Sequence, residues 1–469
     1  MRSAQWQPAF LPVPVRAVMA LVFASFAAAA AALAPMAAVG LAAMAAFAWL
    51  VAAPAVQTLT VLLFLRGFTD GYSNAAVAFG LNPGSLLGLA IIAVAGARIA
   101  LEPHPKGMLP SALLSLAVVV WTFVAYGRFG LDQSIIREVV RSTSLIAIGL
   151  VAVNHRGTLT PSRLATVVVI VAIGPVLFTL FEAASNWQAL ASDGFRTRGT
   201  LAHANSAAMF FSIAAVAAAW RGAFDNGGRR YILALGLFIV AIVTTKSMGG
   251  LGQVVVGLVL LGVMTRGGRR AGVAVSLVAV LLVVFFIVDP LGLSRFGEIS
   301  QTNLSATQWS EANNSLDWRI VNTRAFLSEW WDASPLMGLG FGATADLVQP
   351  LGFQTHSEPL RVLVETGLLG ALITAAALFA FVNKIVLRWR TSGGNAFYAT
   401  MLAMLAGLAV HGLVTHVTET TAPMVLVVVY LAAGMTFHLD APATEASTPE
   451  PSRPGAPHRS PLSTSTQYR

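Results

Sequence analysis

The chain of 469 residues contains no cysteine. Disulfide bonds, thiol catalysis and cysteine-ligated metals are therefore excluded, while the absence leaves the compartment open. Charge is also scarce, because only 10% of the residues are Asp, Glu, Lys or Arg whereas 56% are hydrophobic. Such a chain has too little polar surface for a soluble globule of its size, so the composition predicts a polytopic membrane protein.

Acidic residues are fewer than basic ones, 20 against 29, which gives a formal net charge of +9. In a membrane protein, excess Lys and Arg usually gather in cytoplasmic loops. We therefore expect no nucleic-acid partner.

Apolar stretches long enough to cross a bilayer, roughly 17 to 25 residues each, fill most of the chain. They predict an all-α membrane helical bundle of about 12–14 transmembrane helices. Pro35 and Pro54 cut an Ala-rich region into pieces that can equally form two longer, bent helices. The predicted spans cover 15–33, 36–53, 54–68, 84–100, 109–126, 135–153, 163–184, 202–220, 231–247, 249–265, 271–288, 361–387, 397–416 and 420–438.

Basic residues fall in alternate short connections, which are therefore predicted to be cytoplasmic. The four predicted regions are N-terminal transmembrane helices (1–288), a large extracytoplasmic loop (289–360), C-terminal transmembrane helices (361–438) and a disordered cytoplasmic tail (439–469) rich in Pro, Ser and Thr. The basic residues in question are Arg98, Lys106, Arg156, Arg163, Arg221, Arg229, Arg230, Arg266, Arg269, Arg270, Lys384, Arg388 and Arg390.

The segment 338–370 holds the first candidate for chemistry, a lone His356 followed by Ser357, Glu358 and Pro359. Pro is favoured in the first turn of a helix, and Ser or Glu just before it can cap exposed amides. A helix is therefore predicted to begin beside His356, with an N-terminus that attracts anions. A lone loop histidine is more often only a solvated polar group, so both interpretations stay open.

The cations on the predicted outer side, where the inside-positive bias disfavours them, include Arg196, Arg198, Lys246 and Arg319. A guanidinium can bind phosphate oxygens through two parallel hydrogen bonds. The alternatives are side chains that reach lipid head groups and, for Arg319, a surface pair with Asp317.

Several other polar residues lie on predicted helices. Arg361 and Glu365 are spaced for an intrahelical ion pair. Arg137 and Arg141 lie just inside the membrane and need partners, for which Glu138 or Glu182 are candidates. Four more residues, which could extend a polar cavity or bond to helix carbonyls, are His203, His411, His416 and Glu419. No spacing indicates a metal site, a phosphate-binding glycine loop or a dinucleotide fingerprint, and the glycines of GLGFG are typical of a turn.

Three blocks, which together span about the second half of the chain, resemble the O-antigen ligase and polymerase superfamily, multispanning enzymes that move glycans from polyprenyl diphosphate carriers. The first is R-x-x-G-T-x-x-x-x-N, here Arg196, Gly199, Thr200 and Asn205. The second runs from Arg319 through SPLMGLGFG at 334–342, and the third is HSEPLRVLVETGLLG at 356–370. The chain differs from many members at Lys246, Ser357 and Asn322.

The resemblance implies a membrane glycosyltransferase of polysaccharide or exopolysaccharide biosynthesis in the cell envelope, located in the cytoplasmic (inner) membrane with its site facing outward. Its donor would be a lipid-linked oligosaccharide on undecaprenyl or another polyprenyl diphosphate, and its acceptor a glycan, lipid or protein hydroxyl. His356 would be the catalytic base. Neither a metal ion nor another cofactor is implied. The residues expected to hold the diphosphate are Arg196, Arg319, Lys246 and Arg198, supported by Glu365, Glu358 and Asn205.

A transporter or flippase of lipid-linked saccharides is the alternative function. A transporter should carry ionisable residues near the bilayer midplane and interrupt its helices there. The charges of this chain lie mostly at the ends of spans, which favours the enzyme. Ligase and polymerase cannot be separated, because both use the same donor.

Overall fold

The computed structural model describes residues 35–72, 82–155, 157–191, 195–265 and, with short gaps, 302–437, together with isolated positions between 272 and 283. The described residues form helices joined by connections, and none of them forms a strand, which confirms the all-α prediction. The helices are α1 (Pro35–Ala52), α2 (Ala55–Thr69), α3 (Pro83–Ala100), α4 (Met108–Phe129), α5 (Gln133–Val153), α6 (Pro161–Ser185), α7 (Trp187–Ala191), α8 (Ala204–Ala223), α9 (Arg229–Thr244), α10 (Met248–Met264), α11 (Ser315–Ala333), α12 (Glu358–Thr391), α13 (Ala396–Gly412) and α14 (Thr421–Gly434). The predicted span 15–33, most of 271–288, the tail, Glu419 and the basic residues Arg156, Arg266, Arg269 and Arg270 lie outside the described residues.

Five of the described helices, α3, α4, α6, α8 and α12, are long and apolar enough to cross a membrane. An 18-residue apolar stretch of α4 has a mean hydropathy of 2.1, yet only 11% of this stretch is buried. Because so large an apolar surface is unfavourable in water, these helices suit lipid on their outer faces. The protein is thus a multi-pass membrane protein, and the total of about 12–14 spans remains a prediction.

Helix α1 ends before Pro54 and α2 begins after it, so these two segments are separate helices. The predicted segment before Pro35 lies outside the described residues, so the alternative at Pro35 stays open. A proline cannot donate the backbone bond that would continue the helix, so carbonyls before it lose their partners. Arg98 of α3 supplies replacements by donating to the carbonyls of Leu50 and Ala53 at 3.0 and 2.8 Å. The predicted cytoplasmic Arg98 therefore closes the end of α1.

Helix α8 lies at the centre of the bundle, and 83% of its 18-residue apolar stretch is buried. It packs against α6, α9, α10, α13 and α14. Its many alanines allow close approach on every side. A Cβ at Gly250 of α10 would lie 2.2 Å from the Cβ of Ala208, so only glycine fits there.

Helix α12 is interrupted at Gly367, whose φ of 67° and ψ of −173° are accessible to glycine and hardly to other residues. The loop 334–342 docks into this interruption. The amides of Leu339 and Gly340 donate to the carbonyls of Val364 and Glu365 at 2.8 and 2.9 Å. After the break, the amides of Leu368 and Leu369 donate to the carbonyls of Pro335 and Leu336 at 3.0 and 3.1 Å. The glycine-rich loop is thus more than the predicted turn, because it supplies the backbone bonds that the broken helix lacks.

The same loop is fastened to α4 from the other side. Trp121 donates its indole N–H to the carbonyls of Met337 and Thr366, each at 3.1 Å. A Cβ at Gly340, where φ is 103°, would lie 2.3 Å from the backbone nitrogen of Ala125. Close backbone contact on two sides therefore holds the first turns of α12 in place. The segment that carries His356 leads directly into these turns.

Candidate active site

Two adjoining cavities lie at one end of the bundle. The larger has a volume of about 680 Å³ and the smaller about 200 Å³, and both are lined by Arg196, Asn205 and Thr415. Their lining residues come from helix ends beside connections that the charge pattern predicts to be outward. The cavities therefore join residues far apart in the chain, although which side of the membrane they face remains a prediction.

His356 lines the larger cavity and lies two residues before α12 begins at Glu358. The predicted helix start beside this histidine is confirmed. Ser357 occupies the N-cap position but makes no side-chain capping bond, so its predicted capping role is wrong. The Glu358 carboxylate instead accepts from the backbone amide of Val417 at 2.9 Å, which joins the start of α12 to the connection between α13 and α14.

The ring of His356 lies between two other rings. Its centroid is 4.6 Å from that of Trp318 and 5.9 Å from that of His416. The buried His416 is itself held by Thr355, with 2.6 Å between its Nε2 and the threonine hydroxyl. Asn322 of α11 donates to the carbonyl of Gln354 at 2.8 Å and thereby ties the same segment to α11. The histidine therefore stands on a segment that is held by α11 and by the connection between α13 and α14.

Arg196 connects the loop before α8 with the turn between α9 and α10. Its Nε donates to the carbonyl of Thr245 at 2.9 Å, and its NH2 donates to Oδ1 of Asn205 at 2.7 Å. The same oxygen accepts from the hydroxyl of Ser247 at 3.0 Å. Asn205 thus orients the guanidinium, and its supporting role in the site stays a prediction.

Lys246 lies in the tight turn between α9 and α10 and lines the smaller cavity. The side chain is buried, and its backbone has a φ of 49°, which is uncommon outside glycine. Strained backbone of this kind is found more often at functional sites than elsewhere.

Arg319 reaches the smaller cavity from α11. Arg196, Lys246 and Arg319, which belong to three separate segments, therefore meet at one cavity. No carboxylate is among the described residues that line it. The neighbouring Asp317 is fully buried and accepts from the amide of Asn303 at 2.6 Å. An excess of positive charge in a confined space makes this cavity suited to an anion.

Arg198 is exposed and lines neither cavity. Its backbone amide and that of Gly199 donate to one oxygen of Glu182, at 2.8 and 2.7 Å. Glu182 therefore holds this loop to α6, whereas the sequence had offered it as a partner that neutralises a buried arginine.

A network of buried charged side chains lies next to the first turns of α12. Arg361 donates to Glu138 at 2.8 Å and to Glu365 at 3.3 Å, so the predicted intrahelical pair is present. Glu138 also pairs with Arg141, and Glu365 accepts from the hydroxyl of Thr344 at 2.6 Å. Glu365 thus shares its charge among groups that fix α12 against α5 and against the loop after GLGFG.

Sequence reasoning missed two charged residues of the larger cavity, Arg66 and Asp70 at the end of α2. Both are buried, and Arg66 donates to the carbonyl of Gly84 at 2.5 Å. Nothing in their local sequence indicates the cavity. His203, which also lines it, occupies the N-cap of α8 without a capping bond.

Comparison with protein families gives a match over part of the chain. Residues 233–375 match the family described as O-Antigen ligase, a range that includes Lys246, Arg319, His356 and Glu365. The search of curated proteins gave no significant match. Together with the multi-pass helical fold, this match over part of the chain supports the resemblance to the O-antigen ligase superfamily and, in general terms, a membrane glycosyltransferase of the ligase or polymerase type.

Proposed function

We propose that the protein transfers or polymerises glycan from a polyprenyl-diphosphate-linked donor onto an acceptor hydroxyl at the outer face of the cytoplasmic membrane. The observation that carries the proposal is the meeting of Arg196, Lys246 and Arg319 around one cavity that adjoins the cavity of His356. The donor diphosphate occupies the smaller cavity, where these cations offset its charge.

The larger cavity receives the sugars that react. Its volume of about 680 Å³ lies within the usual range for sites that enclose a small-molecule ligand. Its lining is rich in hydroxyl, amide and charged side chains, among them Asn82, Ser134, Gln349 and Gln354, which are groups that hydrogen-bond to saccharides. Ser134 donates its hydroxyl and its amide to the carboxyl of Asp132, and these bonds lower the pKa of Asp132.

In the reaction, the acceptor hydroxyl attacks the anomeric carbon of the donor sugar. The bond from that carbon to the diphosphate oxygen breaks, and the diphosphate leaves with the electron pair. His356 accepts the hydroxyl proton, a role suited to a side chain that titrates near neutrality. Trp318, packed against its ring, limits the orientations available to the imidazole. The three cations stabilise the charge that develops on the leaving diphosphate, so the step needs no metal ion.

The transporter alternative predicts a helix broken near the bilayer midplane. The break in α12 lies near its start, at Gly367. The part that follows, 368–391, is about 36 Å long at 1.5 Å per residue and can cross the membrane uninterrupted. The interruption therefore belongs to the site at the helix end, which supports the enzyme.

The test is glycan transfer by purified protein supplied with a polyprenyl-diphosphate oligosaccharide and candidate acceptors. His356→Ala should lower the rate about 100-fold to 10,000-fold, because general-base assistance is lost. His155→Ala is the matched control: this histidine bonds to Thr436 at 2.7 Å and lines neither cavity, so its variant should retain transfer. A His356→Ala protein that transfers glycan at the normal rate would falsify the assignment.

Product masses from the same assay identify the acceptor class. Longer lipid-linked chains mean a polymerase, whereas a conjugate of glycan with a lipid or protein means a ligase. Absence of any transfer with every donor, combined with movement of intact donor across vesicles, would favour the transporter instead.

A further inference from the structure

His411, in the last turn of α13, is fully buried. Neither of its ring nitrogens has a hydrogen-bond partner among the described residues. Buried polar groups are nearly always paired, and leaving one unpaired costs roughly 1–3 kcal/mol. The backbone of Gly249 lies beside the ring, and a Cβ built there would lie 3.5 Å from the imidazole, but this contact does not have the geometry of a hydrogen bond. The unpaired imidazole therefore requires an explanation.

The position of His411 supplies that explanation. The residue lines the smaller cavity together with Arg196, Lys246 and Arg319. In either neutral tautomer one ring nitrogen carries a hydrogen and can donate it. The imidazole therefore faces a confined, positively charged space with a donor that no atom of the described residues accepts from.

We infer that His411 is a further donor-contacting residue, whose ring N–H donates a hydrogen bond to a phosphate oxygen of the polyprenyl diphosphate. The inference rests on the proposed function. The three cations supply charge, while His411 supplies a directed bond from a rigid helix end. His411 lies outside the matched range 233–375, so the family match does not assign it a role.

The same geometry predicts opposite effects on the empty protein and on binding. His411→Phe removes the unpaired nitrogens and keeps a planar ring. The ligand-free protein should therefore melt at the same temperature or a higher one, as is common when a functional polar group leaves a buried site. Binding should weaken, because a hydrogen bond to a charged group is lost. A merely structural histidine would give the reverse pattern.

The experiment measures binding of farnesyl diphosphate to the purified full-length protein in detergent, by calorimetry. His411→Phe should raise Kd about tenfold or more. His411→Gln, which keeps an N–H donor, should restore part of the affinity. His155→Phe is the control, because its position is remote from both cavities, and it should leave Kd unchanged. Arg319→Gln should weaken binding strongly if the diphosphate occupies this cavity.

The two proposals can fail separately. A His411→Phe protein that binds within twofold of the wild type, while Arg319→Gln binds weakly, overturns the role of His411 and leaves the proposed function standing. A wild-type protein that does not bind farnesyl diphosphate, or an Arg319→Gln protein that binds it normally, overturns the diphosphate site and the role of His411 with it.

Discussion

Replacement of Gly367 by alanine tests how the site is held in place. The backbone of Gly367 has φ 67° and ψ −173°, and a non-glycine residue there is strained by about 1–3 kcal/mol. The added Cβ would lie 2.2 Å from the carbonyl oxygen of Leu336 and 2.5 Å from the amide nitrogen of Gly338. Both are backbone atoms, so relief requires the loop to move.

Movement of the loop would break the bonds from the amides of Leu368 and Leu369 to that loop. Each bond contributes about 0.5–1.5 kcal/mol. Together with the strain, Gly367→Ala should lower the free energy of unfolding by about 2–6 kcal/mol. Because the start of α12 would shift, the loss of glycan transfer should exceed what the fall in folded protein explains.

The assay compares melting temperatures in detergent with those of Gly96→Ala, a matched control. A Cβ at Gly96, within α3, meets nothing within 4 Å, so alanine there should stabilise the protein by up to about 1 kcal/mol. We expect Gly367→Ala to melt about 3 °C or more below the wild type. Equal melting temperatures for the two variants, with transfer retained in both, would refute the argument that the broken helix depends on glycine.

Two further changes probe the buried charges. Glu138→Gln leaves Arg141 and Arg361 without their shared carboxylate, so the free energy of unfolding should fall by about 3 kcal/mol or more in denaturant titrations. Asp225→Asn, at a partly exposed ion pair, should change it by about 1 kcal/mol or less, and equal effects of the two variants would contradict the burial argument. Both Lys246→Gly and Lys246→Gln remove the ammonium group, but only Lys246→Gly relieves the positive φ, so it should be more stable than Lys246→Gln by up to about 1 kcal/mol. Both Lys246 variants should weaken diphosphate binding, and unchanged Kd values would exclude the lysine from the donor site.

The sequence by itself determined the all-α membrane fold, because long apolar runs leave a chain few alternatives to helices in lipid. It also determined most helix ends, since prolines and charged connections mark where each span must stop. The start of α12 beside His356 followed in the same way from Pro359. These are local properties, readable from residues that are neighbours in the chain.

The tertiary structure decided which residues share a cavity. Arg196, Lys246 and Arg319 were candidates one by one, and only helix packing brings them together around the same space. Packing likewise sets Arg198 outside that space. It also leaves His411 buried beside the three cations, with no partner for its ring nitrogens among the described residues. Such relations depend on contacts between segments far apart in the chain, and hydrophobic pattern and charge do not specify which helices pack together.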